Sequence, residues 1–140
     1  MKIAVIYWSS TGNTEVMANA VLEGVNAAGA EASLLSAAEF SADQISAYDA
    51  LAFGCPSMGV ESLEESEFEP MFQACEPFLG GKKIALFGSY GWGDGEWMRN
   101  WEDRCRADGA VLVCESVICN DAPNDSAIAA CKTLGAALVN

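Results

Sequence analysis

Six small polar residues in succession, Ser9-Ser10-Thr11-Gly12-Asn13-Thr14, separate an apolar run from a helical pattern. Backbone N–H groups in such a segment can wrap an anion, hydroxyls add donors, and the positive end of the following helix favours negative charge. No Lys follows the glycine, which excludes a triphosphate and magnesium P-loop, and no G-x-G-x-x-G is present for a dinucleotide. A phosphate monoester held by neutral donors fits these residue types. An N-capped surface turn fits them as well, since Ser, Thr and Asn are ordinary choices there. Two other segments carry different chemistry: Cys55-Pro56-Ser57-Met58-Gly59-Val60-Glu61 and Ser89-Tyr90-Gly91-Trp92-Gly93-Asp94-Gly95. A large aromatic between glycines is costly to order and poorly placed for a core, so Trp92 reads as a ring that stacks on a planar ligand. The plainer alternative is a half-buried loop tryptophan. Trp97 and Trp101, four residues apart, read as packing on one helix face.

These segments act together only if the fold brings them to one place. Short apolar runs at Ile3–Trp8, Ala32–Leu35, Ala50–Cys55, Ile84–Gly88 and Val111–Val117 have the length and composition of strands, several of them covered on both faces. Between them, Val16, Met17, Ala20, Val21, Gly24 and Val25 mark one face of a helix that stops near Gly29. Further helices are expected over Glu96–Asp108 and Asp125–Val139. The alternation predicts an α/β fold with five parallel strands, right-handed crossovers, and helices on both faces. In such open sheets ligands bind beyond the carboxyl ends of the strands, where the strand order reverses. The three segments follow the first, third and fourth strands, so one crevice would receive them all. A chain of 140 residues suits a single domain spanning residues 1–140.

Composition narrows the function classes. With 7 Lys+Arg against 20 Asp+Glu the formal charge is −13, which disfavours nucleic acid and anionic membrane surfaces. No His is present, so imidazole acid/base catalysis, Ser-His-Asp and Cys-His arrangements and H-E-x-x-H zinc sites are excluded. The six cysteines form no C-x-x-C, and most read as small buried hydrophobes in a reduced cytoplasm rather than as metal ligands or disulfides. No apolar run is long enough for a signal peptide core or a membrane span, and the expected location is cytoplasmic. From Ile3 to Gly81 there is not one Lys or Arg, and residues 61–69 carry five Glu, a pattern typical of a solvated helix start.

Taken together, S-S-T-G-N-T after the first strand, G-C-P-S-M-G-V-E after the third and F-G-S-Y-G-W-G-D-G-E-W-M after the fourth resemble the short-chain flavodoxins of anaerobic, clostridial-like bacteria. The resemblance covers essentially the whole chain. It implies a flavodoxin-like open five-stranded parallel sheet, order 2-1-3-4-5, with FMN at the switch point. It implies that Ser9, Ser10, Thr11, Gly12, Asn13 and Thr14 hold the FMN phosphate. Met58 would lie on the inner and Trp92 on the outer face of the isoalloxazine ring. Ser57, Ser89, Tyr90 and Gly91 would contact the ribityl chain or ring edge, with Gly93 in the same set, and Glu61 would accept the flavin N3–H. Val60 stands where clostridial-type relatives often have Asp.

The resemblance also implies a low-potential one-electron carrier, not an enzyme, that cycles between semiquinone and hydroquinone. Rotation of the Met58–Gly59 peptide on reduction would offer a carbonyl to flavin N5–H, and glycine permits the positive φ this requires. One such hydrogen bond, about 1 kcal/mol, moves a one-electron potential by about 40 mV. Carboxylates near the ring oppose the second electron: one at ~10 Å in water is worth roughly 0.4 kcal/mol, so the Glu61–Glu69 run, Asp94 and Glu96 would lower that potential by several tens of millivolts. The implied partners are redox proteins with basic docking faces, such as reductases and ferredoxin-dependent enzymes, meeting a monomer. An FMN-dependent quinone or nitro-compound reductase is the alternative, but nothing in the chain recognises a nicotinamide donor. A signalling receiver domain of the same topology needs Asp at the ends of strands one and three, where Trp8-Ser9 and Cys55-Pro56 stand.

Overall fold

A computed structural model describes residues 1–140. Its strands are β1 (Lys2–Tyr7), β2 (Glu31–Ser36), β3 (Ala50–Gly54), β4 (Lys83–Tyr90), β5 (Val111–Leu112) and β6 (Val117–Asn120). Its helices are α1 (Asn13–Ala27), α2 (Phe68–Cys75), α3 (Glu96–Ala107) and α4 (Asp125–Ala137). The sheet runs β2-β1-β3-β4-β5, and β6 also pairs with β4. Every pairing is parallel. The flavodoxin-like order expected from the sequence is therefore present, with one more strand than expected.

The extra strand arises because the expected Val111–Val117 strand is broken. Ile84 pairs with Leu112 and Phe87 with Val117, so Ala85 and Leu86 are passed by four residues, Val113 to Ser116, on the edge chain. The chain bows outward there, and Ser116 Oγ donates to Glu102 Oε2 of α3 at 2.6 Å. An interrupted edge is also a poor template for pairing with another sheet.

Alternate residues along the strands enter two separate cores, as the two-residue period of a strand dictates. Ala4, Ile6, Leu51, Phe53, Ile84 and Leu86 pack against Phe68, Phe72, Trp97 and Trp101 of α2 and α3. Ile3, Val5, Ala50, Ala52, Ala85 and Phe87 face Met17, Val21, Cys131 and Leu134 of α1 and α4. Trp101 meets Phe68 and Phe72 edge to face at 5.5 and 5.7 Å, a geometry that suits the aromatic quadrupole. On the other face α1 and α4 cross closely: a Cβ on Gly24 would lie 2.0 Å from the Lys132 carbonyl oxygen, and one on Gly135 2.3 Å from that of Val21. All six cysteines are free, four of them buried. Burial pushes the Cys75 thiol up to about 11 and those of Cys105 and Cys131 to about 12, which makes them poor nucleophiles.

Arg104 ties α3 to α2 and the chain after it. Its Nη1 donates to Glu69 Oε1 at 2.8 Å and its Nε to Glu76 Oε2 at 2.9 Å, while the guanidinium lies 5.0 Å from the Phe72 ring centre. Asp108, just beyond the carboxyl end of α3, has Oδ2 buried without a hydrogen-bond partner. Burial first, then the neighbouring Glu76, raises its carboxyl from 3.8 to about 6, and the negative end of the helix dipole acts in the same sense. A raised folded-state pKa means that the folded chain holds this proton more tightly than the unfolded one. The group therefore favours folding most below pH ~4, and this contribution is lost as pH rises through about 6. Asp108→Asn is expected to be more stable than the parent at pH 7.5 and to lose that advantage at pH 4, as measured by urea unfolding at both pH values.

Candidate functional site

The loops after β1, β3 and β4 leave the carboxyl ends of three adjacent strands, and the winding of the sheet reverses between β1 and β3. In the first loop Ser9 Oγ accepts from the N–H groups of Gly12 at 3.2 Å and Glu15 at 3.3 Å, which folds the segment onto the start of α1. The N–H groups of Ser10, Thr11, Asn13 and Thr14 have no partner within the chain. Residues 7–12, with Glu15, Ser36 and Glu67, line a cavity of about 380 Å³, and none of them is basic. Tyr7 Oη donates to Glu15 Oε2 and Trp8 Nε1 to Glu67 Oε1, both at 3.0 Å. Burial, and then Glu15, raises the Tyr7 hydroxyl above its ordinary pKa. Trp8, Glu15, Ser36 and Glu67 were not singled out from sequence. Trp8 and Glu15 flank the polar run directly, whereas nothing in sequence order ties Ser36 or Glu67 to it.

The second loop is a small hairpin. Met58 and Ser62 exchange backbone hydrogen bonds of 2.8 and 2.9 Å, leaving Gly59, Val60 and Glu61 as its tip. Gly59 sits at φ +49, a conformation that costs a residue with a Cβ ~1 kcal/mol or more, and Val60 at the apex is 87% exposed. Glu61 also has positive φ, and its carboxylate has two neighbours that hold it. Oε2 accepts from the Trp97 N–H at 3.2 Å, at the positive end of α3. Oε1 lies only 2.2 Å from where a Cβ on Gly93 would be, so the third loop can approach because that residue is glycine.

Both ends of the hairpin are fastened beneath the surface. Cys55 Sγ accepts from the Glu64 N–H at 3.4 Å, and the Cys55 carbonyl accepts from Trp97 Nε1 at 3.3 Å. Burial drives the Cys55 thiol far above its usual range, so its role here is to accept, not to react. Glu64 is 6% exposed, which overturns the solvated reading of the acidic run at this position. Its carboxylate accepts from the N–H groups of Ser66, Glu67 and Phe68 at 2.7 to 2.8 Å and caps the start of α2. Burial opposes its charge, but these bonds and one from the Ser66 hydroxyl outweigh that and hold it below the ordinary carboxylate range.

In the third loop Trp92 is 62% exposed. Trp97 and Trp101 are buried, as their spacing indicates. Asp94 pairs with Arg99 at 3.0 Å. Tyr90 packs its ring 5.5 Å from that of Trp97. Ser89 is buried, and its hydroxyl lies 3.0 Å from the buried Thr14 hydroxyl, while its carbonyl accepts from the Ser57 N–H at 2.9 Å. The fold thus gathers Ser9–Thr14, Ser57–Glu61 and Ser89–Gly93 at one end of the sheet. It also compensates part of the acidic charge: Glu69 and Asp94 have arginine partners and Glu64 has a helix N-terminus, which leaves Glu65, Glu67 and Glu96 exposed with no ion-pair partner.

A family model described as Flavodoxin matches residues 5–134. The chain is 43% identical to the flavodoxin of Megasphaera elsdenii over 135 residues, 96% of each chain. It is 43% identical to the flavodoxin of Clostridium beijerinckii over 122 residues, 87% of this chain and 88% of the relative. The solution structure of two-electron reduced Megasphaera elsdenii flavodoxin superposes with a TM-score of 0.90 over 98% of both chains.

The buried carboxylate of Glu64 generates a stability expectation of its own. Glu64→Gln keeps the shape but offers one neutral oxygen to donors that now share two charged ones, and is expected to lose about 1 to 2 kcal/mol in urea unfolding at pH 7. Because the Glu64 pKa is lowered on folding, the difference between parent and variant shrinks as pH falls through the carboxylate range.

Proposed function

The chain belongs to the flavodoxin family, and we propose that it is a low-potential carrier of single electrons that holds FMN noncovalently across its three strand-end loops. The observation that carries the reading is the first loop: four unpartnered N–H groups at or just before the start of a helix, those of Ser10 and Thr11 belonging to residues that line a cavity with no basic side chain. That donor set matches a phosphate monoester, whose oxygens accept from backbone N–H groups and sit in the positive field of α1. Bound FMN supplies the one-electron steps; the chain supplies position and electrostatics.

In this reading residues Ser9 to Thr14 hold the phosphate, and Met58 and Trp92 flank the ring system. Glu61, already fixed by the Trp97 N–H, offers its carboxylate to the ring edge. Ser57, Tyr90, Gly91 and Gly93 shape the crevice between these walls. The Met58 carbonyl accepts from the Ser62 N–H and hydroxyl in the hairpin as it stands, so turning the Met58–Gly59 peptide would give up those bonds, and glycine bears the positive φ that the turn uses. The exposed carboxylates of Glu65 and Glu67 disfavour added negative charge at the site and lower the potential of the second electron. The same acidic surface steers partners with basic docking faces. We place the chain in the cytoplasm as a monomer forming one domain. Six free thiols suit a reducing compartment, and no helix is long and apolar enough to cross a membrane.

Reconstitution with FMN followed by anaerobic redox titration tests the function. One FMN per chain and two separate one-electron midpoints are expected. Turnover of NAD(P)H by the purified holoprotein without an added reductase would instead support a flavin enzyme. Trp92→Ala is expected to weaken FMN binding and restore flavin fluorescence; emission that stays quenched removes Trp92 from the stack. Gly59→Ala is expected to narrow the gap between the two midpoints by tens of millivolts, the scale of one hydrogen bond of about 1 kcal/mol. An unchanged gap refutes a role for peptide rotation.

A further inference from the structure

Ser89 and Thr14 are 5% and 1% exposed, and their hydroxyls lie 3.0 Å apart. They come from different parts of the site: Ser89 from the end of β4, Thr14 from the first turn of α1. Either hydroxyl can donate to the other, and each has a single proton. If Thr14 donates to Ser89, its proton is spent inside the protein. If Ser89 donates, the Thr14 proton is left for the loop, where the N–H groups of Ser10, Thr11, Asn13 and Thr14 itself also lack partners. An anion in that loop needs donors and has none to offer, so its presence selects the second arrangement.

We propose that Ser89 is a positioning residue for phosphate recognition: its hydroxyl donates to Thr14 Oγ1 and thereby directs the Thr14 hydroxyl proton into the anion loop. The proposal rests on the FMN reading given above. Ser89 is suited to this because its backbone is held on both sides: its carbonyl accepts from the Ser57 N–H, and it pairs with Cys119 of β6. A group fixed on a strand sets geometry more closely than one on a loop. The same residue therefore aligns the phosphate loop through its hydroxyl and the flavin hairpin through its carbonyl. The role assigned to its side chain is indirect: it acts on the phosphate through Thr14 rather than on the ribityl chain.

The readout that separates this role from a merely structural one is the ratio of affinities for FMN and riboflavin, which differ only in the phosphate. Fluorescence titration of the apoprotein with each flavin measures it. Ser89→Ala removes the competing acceptor but also the one donor that orients the Thr14 hydroxyl, so its proton is no longer aimed at the loop; FMN is expected to weaken roughly tenfold, the scale of one hydrogen bond to a charged group, and riboflavin to stay within about twofold. Ser89→Thr, which keeps the hydroxyl, is expected to restore the ratio. Thr14→Val is expected to lower the ratio by at least as much, with no further loss in the double variant. This arm carries the test should Ser89→Ala fail to fold. Equal weakening of both flavins, an unchanged ratio, or additive losses in the double variant would each overturn the proposal. A parent chain that binds FMN and riboflavin equally overturns it too, while one that binds neither overturns the function and this inference together.

Discussion

The absence of any basic side chain around the first loop is the constraint on which the proposed site depends. Neutral N–H groups and hydroxyls are individually weak partners for an anion, so they succeed only when several converge in fixed directions before the ligand arrives. The fold meets this by joining the end of β1 at Tyr7 to the start of α1 at Asn13 through one short loop. Ser9 Oγ takes up the N–H groups of Gly12 and Glu15, and those of Asn13 and Thr14 in the first turn stay free. A parallel sheet is what makes the arrangement possible, because it places the ends of β1, β3 and β4 side by side and leaves their loops on one rim.

The acidic charge of the chain is distributed with more discrimination than its density suggests. A run of five Glu in nine residues looks like one solvated surface, yet its members face different environments. Glu64 is sealed in as a helix cap, Glu69 is forked by Arg104, Glu67 holds Trp8 at the cavity beside the first loop, and Glu61 sits at the start of α3. The compensating charges come from α3 across the crevice, since the first eighty residues contain only Lys2 among Lys and Arg. The electrostatic load on the ring is consequently smaller than a count of carboxylates implies, and it resides mainly with the exposed ones.

Anchoring is the second theme. The hairpin that carries Met58 has an exposed apex at Val60 and a buried base held by Cys55 and Glu64. Freedom is thus confined to the tip, where glycine tolerates more than one backbone conformation, while the strand ends beneath stay fixed. Cys55, whose position beside the site invites a redox reading, is instead an acceptor whose burial suppresses the thiolate.

The strand and helix alternation, the parallel sheet, the three loops and their shared end were legible in the sequence, because each follows from local periodicity and from rules on parallel crossovers, whereas the strand order came from the resemblance to flavodoxins. Motif residues such as Ser9 to Thr14 were legible for the same reason: they are contiguous and their chemistry is local. The tertiary structure alone decided what depends on distant residues meeting. Where the last strand breaks, Ser116 meets Glu102 of α3, and the Thr14–Ser89 pair joins residues far apart in the chain. Glu67 reaches the first-loop cavity through Trp8, and Glu64 turns inward because α2 begins where its carboxylate lies. Hydrogen-bond partners and burial are properties of packing, and no spacing rule along a single chain encodes them.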